Sequence, residues 1–280
     1  MADTGIEKNP PPPDRPLTAL KECRRGRMLY LRRDQYIGRA LELYGEFSEF
    51  EVELFSRALR PGDVAVEVGA NIGAHTVHLA RLVGPQGLVV AFEPQRIIHQ
   101  FLCANLALNE LFNVVSYRAA AGARRGTLKV PPLDYAAAYN FGGVALGADA
   151  GEDVLVMPLD SLGLKALRLL KIDVEGMEVE VLQGARELIA RTRPLLYVEN
   201  DRKERSPRLI SLLQELEYDL WWHTPPLFNP RNFAGNPENV FAGIVSINMF
   251  GAPKETPYTV PRLRKVAGPD DLSWEQAVSY

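Results

Sequence analysis

The sequence has few cysteines, no surplus of basic residues and no long apolar run. Its two cysteines, Cys23 and Cys103, lie far apart without metal-type spacing, so neither a disulfide framework nor a zinc site is expected. No window approaches the roughly 18 apolar residues that a membrane span requires, and the polar, proline-rich N-terminus lacks the apolar region of a signal peptide. We therefore expect a soluble, cytoplasmic protein with no membrane partner.

The charge balance argues against nucleic acid as a partner. The chain carries a formal net charge of -3, which gives no broad basic surface for neutralising phosphate backbones. Hydrophobic residues make up 46% and charged residues 24% of the chain, a balance typical of globular proteins with an ordinary core. A small molecule or a glycan is the expected partner, and a homo-oligomeric state is left open.

Composition divides the chain into successive parts. The four prolines Pro10–Pro13 block regular structure near the N-terminus. The predicted parts are a flexible leader (1–16), a lead-in (17–60) with a helix around Glu49–Leu59, a main domain (61–250) and a C-terminal tail (251–280). Within the main domain, 131–153 is predicted to be an insertion on the acceptor side, and 221–239 a loop rich in aromatic residues and asparagine.

Strand-like runs alternate with segments of helical period after Pro61. The predicted strands are Val64–Val68, Leu88–Phe92, Val114–Ala119, Leu169–Val174, Leu195–Glu199 and Val240–Ile247. Three apolar stripes of helical spacing, within 72–83, 97–106 and 181–189, predict helices that pack on the sheet. This alternation predicts an α/β fold with a mostly parallel, doubly wound sheet covered on both faces.

A glycine turn follows the first predicted strand. The segment Glu67-Val68-Gly69-Ala70-Asn71-Ile72-Gly73 ends a strand and leads into a helix. Glycines there let the backbone approach a ligand, and the start of the helix supplies unpaired N–H groups. Open α/β sheets bind ligands in the crevice at this edge. The residues expected to bind a cofactor are Glu67, Gly69, Asn71, Gly73 and Thr76.

Acidic residues distinguish this turn from a dinucleotide site. An acid followed by Gly-x-Asn-x-Gly differs from the Gly-x-Gly-x-x-Gly pattern of NAD-binding folds. Glu67 suits an ammonium group better than a pyrophosphate, and Glu93, at the end of the next strand, can accept hydrogens from both ribose hydroxyls. S-adenosylmethionine has an amino acid end and no phosphate, so it is the predicted cofactor. An NAD-dependent oxidoreductase is disfavoured.

Polar side chains follow the fourth and fifth predicted strands, where they would face the same crevice. Methyl transfer from a sulfonium is an in-line displacement, in which the protein aligns the acceptor and lowers the proton affinity of its hydroxyl. Asp173, Glu175 and His75 are the candidates for this catalytic role, and Asp173 is also expected to lie against the cofactor.

A divalent cation could lower the proton affinity of the hydroxyl instead. Asp173, Glu199 and Asn200 offer three hard oxygen ligands, which would suit Mg²⁺. The alternative is structural: these acids would pair with Lys171, Arg193 or Arg202. Both interpretations stay open at this point.

The region 221–239 mixes aromatic rings with side-chain amides. This combination suits a polyhydroxylated ring, which stacks on aromatic faces while its hydroxyls form hydrogen bonds. Trp221, His223 and Asn232 are the predicted acceptor-binding residues. The alternative is a turn-rich loop with buried anchors.

Five motifs resemble the FkbM family of methyltransferases. They are Val66-Glu67-Val68-Gly69-Ala70-Asn71-Ile72-Gly73-Ala74-His75-Thr76, Phe92-Glu93-Pro94, Asn105 with Asn109, Leu159-Asp160-Ser161-Leu162, and Lys171-Ile172-Asp173-Val174-Glu175-Gly176-Met177-Glu178. The resemblance covers about 62–199, and the last motif is the most diagnostic. It implies a class I methyltransferase fold, a seven-stranded sheet with one antiparallel strand.

The resemblance also implies a reaction, usually O-methylation of a hydroxyl on a sugar or a polyketide-like product. Asp173 with Glu199-Asn200 is similar to the metal set of catechol-type O-methyltransferases, except that Glu199 replaces an aspartate. We therefore expect an O-methyltransferase acting on a sugar, a glycan or a glycosylated natural product, with Mg²⁺ as a candidate helper. The alternatives are another small-molecule or polyketide hydroxyl, or a non-catalytic protein that binds S-adenosylmethionine.

Overall fold

The computed structural model describes residues 16–256, 258, 260 and 262–272 of the chain. The predicted leader lies outside the described residues except for its last position, and so does the end of the predicted tail. In the described part of the chain, every helix is too short or too polar to cross a lipid bilayer.

The secondary structure begins with a hairpin of β1 (Thr18–Cys23) and β2 (Gly26–Leu31), followed by α1 (Ile37–Tyr44) and α2 (Glu49–Ala58). Next come β3 (Val64–Val68), α3 (Thr76–Val83), β4 (Leu88–Phe92), α4 (Arg96–Leu108), β5 (Val114–Tyr117), β6 (Ala119–Ala121), β7 (Gly126–Val130) and β8 (Glu152–Met157). A 3-10 helix (Leu159–Leu162) precedes β9 (Leu169–Ile172), α5 (Glu178–Gln183), α6 (Arg186–Thr192), β10 (Leu195–Glu199), α7 (Ser206–Glu215), β11 (Tyr218–His223), β12 (Asn248–Pro253) and β13 (Arg264–Lys265).

The central sheet has the strand order β13-β11-β12-β10-β9-β3-β4-β5. The strands from β10 to β5 in this order are parallel to one another, whereas β12 is antiparallel to both β10 and β11. The expected doubly wound sheet with one antiparallel strand is therefore confirmed for seven strands. The two-residue β13 extends the edge by pairing antiparallel with β11.

Alternate side chains of the inner strands face two different layers of helices. Val66 and Leu170 pack with α5, α6 and α7 on one face, whereas Ala65 and Leu169 pack with α2 and α3 on the other. Strands covered on both faces consist almost entirely of apolar residues, because every side chain is buried. The strands β3, β4, β9 and β10 end at one edge, called here the carboxyl edge.

Two predicted elements divide in the structure. The run 114–119 splits into β5 and β6, because β6 leaves the central sheet and joins a separate sheet of order β6-β8-β7. The helical stripe 181–189 breaks between α5 and α6 at Gly184, where a Cβ atom would lie 2.0 Å from the carbonyl oxygen of Gly122. The close approach of that backbone explains why the helix is interrupted at a glycine.

The C-terminal part differs most from expectation. The predicted strand 240–247 is wrong: the segment forms turns, with Phe241 packed against Tyr44, and β12 begins only at Asn248. Trp221 to His223, predicted in a loop, complete β11. The expected boundary between domain and tail after residue 250 falls inside β12.

Asn105 of α4 and Asn109, which directly follows α4, attach the N-terminal hairpin to the main domain. Asn105 accepts a hydrogen bond from the Leu29 N–H at 2.6 Å and donates to the Leu29 carbonyl at 3.0 Å. Asn109 repeats the pattern with Arg27, at 3.1 and 2.7 Å. Four helical residues rise about 6 Å and two strand residues about 6.6 Å, so the two amides match alternate residues of β2. Asn105 also donates to the Ile72 carbonyl at 2.7 Å, which links the hairpin to the glycine turn.

Asn105→Ala is expected to lower the free energy of unfolding by about 3 kcal/mol, because three backbone groups lose their partner and each unsatisfied buried group costs roughly 1–3 kcal/mol. Asn109→Ala is the matched control: its hydrogen bonds to Arg27 are exposed, so water can replace them at a cost of about 1 kcal/mol or less. Urea unfolding measures both, and equal losses in the two variants would contradict this assignment.

Candidate functional site

A crevice lies at the carboxyl edge, with about 450 Å³ of empty space when its part open to solvent is included. Four residues predicted from the sequence line it: Gly69, Glu93, Asp173 and Glu175. They follow three different strands, β3, β4 and β9, which end side by side because those strands are parallel neighbours. The position agrees with the general rule that open α/β sheets bind ligands at this edge.

The glycine turn has left-handed backbone at three positions, with φ of 85° at Gly69, 50° at Asn71 and 87° at Gly73. Glycine and asparagine adopt this conformation more readily than other residues. A Cβ atom at Gly69 would lie 1.8 Å from the Asp173 carbonyl oxygen, and one at Gly73 2.8 Å from Leu102 Cδ1. Protein atoms therefore leave no room for a side chain at these two positions. The sequence pattern predicts instead that the glycines let the backbone approach a ligand.

Glu93 is buried at the end of β4 and holds the glycine turn in place. Its Oε2 accepts a hydrogen bond from the Asn71 N–H at 3.0 Å, and its Oε1 one from the Gln95 N–H at 2.8 Å. Burial raises the pKa of Glu93 to about 7; the two N–H groups oppose the shift, and the carboxylates of Asp173 and Glu67 add to it. Each oxygen of a carboxylate has two lone pairs, so Glu93 can still accept ribose hydroxyl hydrogens.

A buried ion network centred on Lys171 joins β3 to β9. The Lys171 ammonium lies 3.0 Å from Asp173 Oδ2 and 3.6 Å from Glu67 Oε1, and the Lys171 and Glu67 side chains are 2% and 1% exposed. The other oxygen of Glu67 accepts a hydrogen bond from the Thr76 hydroxyl at 2.6 Å. Burial alone would lower the pKa of Lys171, but Asp173, Glu67 and Glu51 together raise it. From the sequence, we expected Glu67 to face the ammonium group of a ligand. In the structure, the ammonium group beside Glu67 is that of Lys171.

The turn after β9 is held by an arginine from the segment after β10. Glu175 has a left-handed φ of 52°, and its Oε2 accepts a hydrogen bond from Arg202 at 2.6 Å. Gly176, at φ 98°, leaves room for the Arg202 guanidinium, which a Cβ atom would approach to 3.0 Å. Burial raises the pKa of Glu175 to about 7, with added contributions from Asp173 and Asp201. Glu175 therefore gains and loses a proton near neutral pH.

The predicted insertion covers the crevice, and we call residues 131–151 the flap. Gly142 of the flap lines the crevice. Tyr139 exchanges two backbone hydrogen bonds with the lead-in at residues 33 and 35. Phe141 is fully buried and packs in a cluster with side chains of the hairpin, α1 and α4. The flap is thus a folded cover anchored to the rest of the protein.

His75 lies just before α3, enclosed by aromatic rings. Its ring centroid is 5.6 Å from that of Phe47 and 5.5 Å from that of Phe55. Burial, the Lys171 ammonium and His78 lower the pKa of His75 well below its ordinary value, so the imidazole is neutral at physiological pH. Within the described part of the chain, its Nε2 atom is buried and has no hydrogen-bond partner.

The three predicted metal ligands do not form a magnesium site. The Lys171 ammonium already neutralises Asp173, and Asn200 directs its Nδ2 to the Ser206 hydroxyl at 2.9 Å. Burial and neighbouring acids raise the pKa of Glu199 well above its ordinary value. The described residues contain no cluster of three histidine, cysteine or acidic side chains suited to a metal. The Mg²⁺ expectation is unsupported, and Asp173 follows the alternative of pairing with Lys171.

The predicted acceptor residues lie outside the crevice lining. Trp221 packs against Phe250 within the sheet. His223 Nδ1 is 2.8 Å from the Tyr197 hydroxyl, and burial lowers the pKa of His223 to about 4. Asn232 uses its amide to close its own loop, with donations to the carbonyls of residues 229 and 236. His223 and Asn232 are buried, as the structural alternative expects, whereas Trp221 is partly exposed. The assignment of these three residues to acceptor binding stays a prediction.

From the sequence, we named Lys171 only as a possible partner of the acids and did not name Gln95, which lines the crevice. Lys171 stands in a strand that is otherwise apolar and buried on both faces, and a lysine at such a position was the available signal of an internal ion pair. Gln95 has no comparable signal, because its side-chain partner Phe141 is 46 residues away in the chain.

Comparison with known proteins agrees with the geometry. The chain matches the family model described as the methyltransferase FkbM domain over residues 67–220. It is 32% identical over 160 residues to methyltransferase sdnD of Sordaria araneosa, an alignment that covers 44% of this chain and 60% of that protein. It is 29% identical over 204 residues to the 31-O-demethyl-FK506 methyltransferase FkbM of Streptomyces tacrolimicus, covering 61% and 78%.

Solved structures include similar chains. One is the methyltransferase FkbM from Methylobacillus flagellatus KT, with 19% identity and a TM-score of 0.45 over 72% of this chain and 50% of that one. The present chain thus spans 60% of the sdnD protein and half of this structure.

Lys171→Met is expected to lower the free energy of unfolding by about 3–5 kcal/mol, because it leaves Glu67 buried without its cation. Adding Glu67→Gln should restore much of this loss, since glutamine is uncharged and can still accept the Thr76 hydrogen bond. Denaturant unfolding of the two single variants and the double variant at neutral pH measures the coupling. Strictly additive losses would show that Lys171 and Glu67 do not stabilise each other.

Proposed function

Because the chain belongs to the FkbM family of methyltransferases, we propose that it transfers the methyl group of S-adenosylmethionine to a hydroxyl of a sugar, a glycan or a glycosylated natural product. The observation that carries the proposal is Glu93, a buried acid that holds the left-handed glycine turn and lines the crevice at the carboxyl edge together with Asp173 and Glu175. An acidic cradle disfavours the pyrophosphate of NAD and favours a cationic nucleoside without phosphate.

The residues present fit this cofactor, which supplies an electrophilic methyl group on a sulfonium when it is bound. Glu93 is placed to hold the ribose hydroxyls. Glu67, held by Thr76 and Lys171, is buried next to the glycine turn, which is the part proposed to bind the amino acid end. Ala119–Ala121 contributes small apolar side chains to the same crevice, which suits a flat base.

Glu175 is the proposed proton acceptor for the acceptor hydroxyl. It lines the crevice and has a pKa of about 7, a value suited to a general base at neutral pH. Arg202 fixes one of its oxygens. Asp173, held by Lys171, is proposed to orient the hydroxyl. The neutral His75 is the alternative base.

The acceptor class follows from charge. Asp173, Glu175, Glu199 and Asp201 lie close together at this end of the crevice, where Lys171 pairs with Asp173 and Arg202 pairs with Glu175. These two cations are engaged by the chain's own acids, which disfavours an acceptor with phosphate or carboxylate groups and favours a neutral, hydroxyl-rich molecule. A second candidate is a hydroxyl of a natural product without sugar: the relative from Streptomyces tacrolimicus is named for 31-O-demethyl-FK506.

The affinity for S-adenosylhomocysteine, the demethylated cofactor, is expected to rise with pH. Glu93 has a raised pKa of about 7 in the free protein, and the ribose hydroxyls pair best with its ionised form. At pH 6 most Glu93 carboxyls carry a proton that must leave when the nucleoside binds, whereas at pH 8 most are already ionised. The affinity is therefore about tenfold higher at pH 8. Calorimetry at pH 6, 7 and 8 measures the change.

Glu93→Gln is the control for this experiment, since the amide keeps the shape but does not titrate. It should bind more weakly and with little dependence on pH. Tight binding of NAD with no binding of S-adenosylhomocysteine would overturn the cofactor assignment.

Glu175→Gln is expected to lower kcat by about 100-fold or more, the usual contribution of a general base, while the affinity for S-adenosylhomocysteine stays the same. The assay follows the mass gain of one methylene on sugar acceptors by mass spectrometry. His75→Asn is the comparison variant and should retain kcat within a few-fold. Loss of activity in His75→Asn alone would reassign the base, and EDTA should leave the wild-type rate unchanged.

Turnover with no acceptor of any class, despite tight binding of S-adenosylhomocysteine, would favour the non-catalytic alternative.

A further inference from the structure

Gln95 lies between the crevice and the flap. It is 4% exposed, directly precedes α4 and lines the crevice. Its Nε2 donates a hydrogen bond to the Phe141 carbonyl of the flap at 2.7 Å. Because a carbonyl oxygen only accepts, this contact fixes which end of the amide is the nitrogen. The Oε1 atom at the other end is buried and finds no donor within the described part of the chain.

A buried acceptor without a donor is unfavourable, and each such group in a native protein calls for an explanation, such as a bound water, an ion or a role at a functional site. The backbone of Gln95 is held by the bond from its N–H to Glu93 Oε1 at 2.8 Å, and its side chain by the bond to the Phe141 carbonyl. A residue that lines the crevice is therefore held at its backbone and at its amide nitrogen, and its amide oxygen remains as an unused acceptor.

We propose that Gln95 Oε1 accepts a hydrogen bond from the 6-amino group of the cofactor's adenine, and that the same amide thereby fastens the flap over the bound nucleoside. The inference rests on the proposed function. Next to Gln95 the crevice is lined by Phe92, Pro94, Ala119–Ala121 and Leu146. These apolar side chains form a slot for a flat ring, with the Gln95 amide as a neutral acceptor beside it.

The choice of the adenine amino group follows from the donors that the cofactor offers. Its ammonium group suits an ionised carboxylate, and its ribose hydroxyls suit Glu93. The 6-amino group is the donor that remains for a neutral amide oxygen. Since the two ends of one amide then hold the base and the Phe141 carbonyl, binding of the base and closure of the flap reinforce each other.

Calorimetry with two probes tests the recognition of the base. S-inosylhomocysteine carries a carbonyl oxygen in place of the 6-amino group, so that two acceptors would face each other at Gln95. The wild-type protein is expected to bind S-adenosylhomocysteine at least about tenfold more tightly than this analogue. Gln95→Met should lose most of this preference. Gln100→Met, on the exposed side of α4, is the matched control and should keep it.

Hydrogen exchange measured by mass spectrometry tests the coupling to the flap. S-adenosylhomocysteine should slow exchange of the backbone amides at 139–147 in the wild type and in Gln100→Met, and clearly less in Gln95→Met at matched saturation. Equal protection in all three proteins would overturn the coupling.

The possible failures are distinguishable. If Gln95→Met still prefers the adenine compound as strongly as the wild type, the inference on Gln95 is wrong while the cofactor proposal stands. If the wild type binds neither probe, the proposed function itself fails, and the inference fails with it.

Discussion

The site depends on one buried ammonium. Lys171 lies between acids carried by β3 and by the turn after β9, and Gly69 lets those strand ends pack directly on each other. Without a cation, Glu67 and Asp173 would repel each other in surroundings where charges are poorly screened. A cation that is part of the chain keeps them together, which also explains why the oxygen ligands expected for Mg²⁺ are not arranged around a metal.

Side-chain amides connect the outer elements to this centre. Asn105 attaches the N-terminal hairpin to the glycine turn, and Gln95 attaches the flap to the end of β4. Both residues are buried. The amide nitrogen of Asn105 donates to the Ile72 carbonyl in the glycine turn, and that of Gln95 donates to the Phe141 carbonyl in the flap. The crevice is therefore assembled from distant parts of the chain by a few hydrogen bonds that are shielded from water.

The centre of the fold was predictable from sequence, and its periphery was not. The bounds of β3, β4 and β10 agree with the prediction to the residue, because parallel strands covered on both faces are continuous apolar runs between turn residues. The acids that line the crevice were found because Glu93 directly follows β4, and Asp173 and Glu175 come just after β9. The strand predicted at 240–247 was wrong because Phe241 packs against Tyr44, which is far away in the chain. Local composition does not reveal such a long-range contact.

The most direct test is a crystal structure of the complex with S-adenosylhomocysteine. We expect the nucleoside in the crevice, with its ribose on Glu93, its amino acid end beside the glycine turn and Glu67, and the Lys171 ammonium still bound to Asp173. A complex with the nucleoside bound elsewhere, or with a metal ion in place of the Lys171 ammonium, would contradict this account.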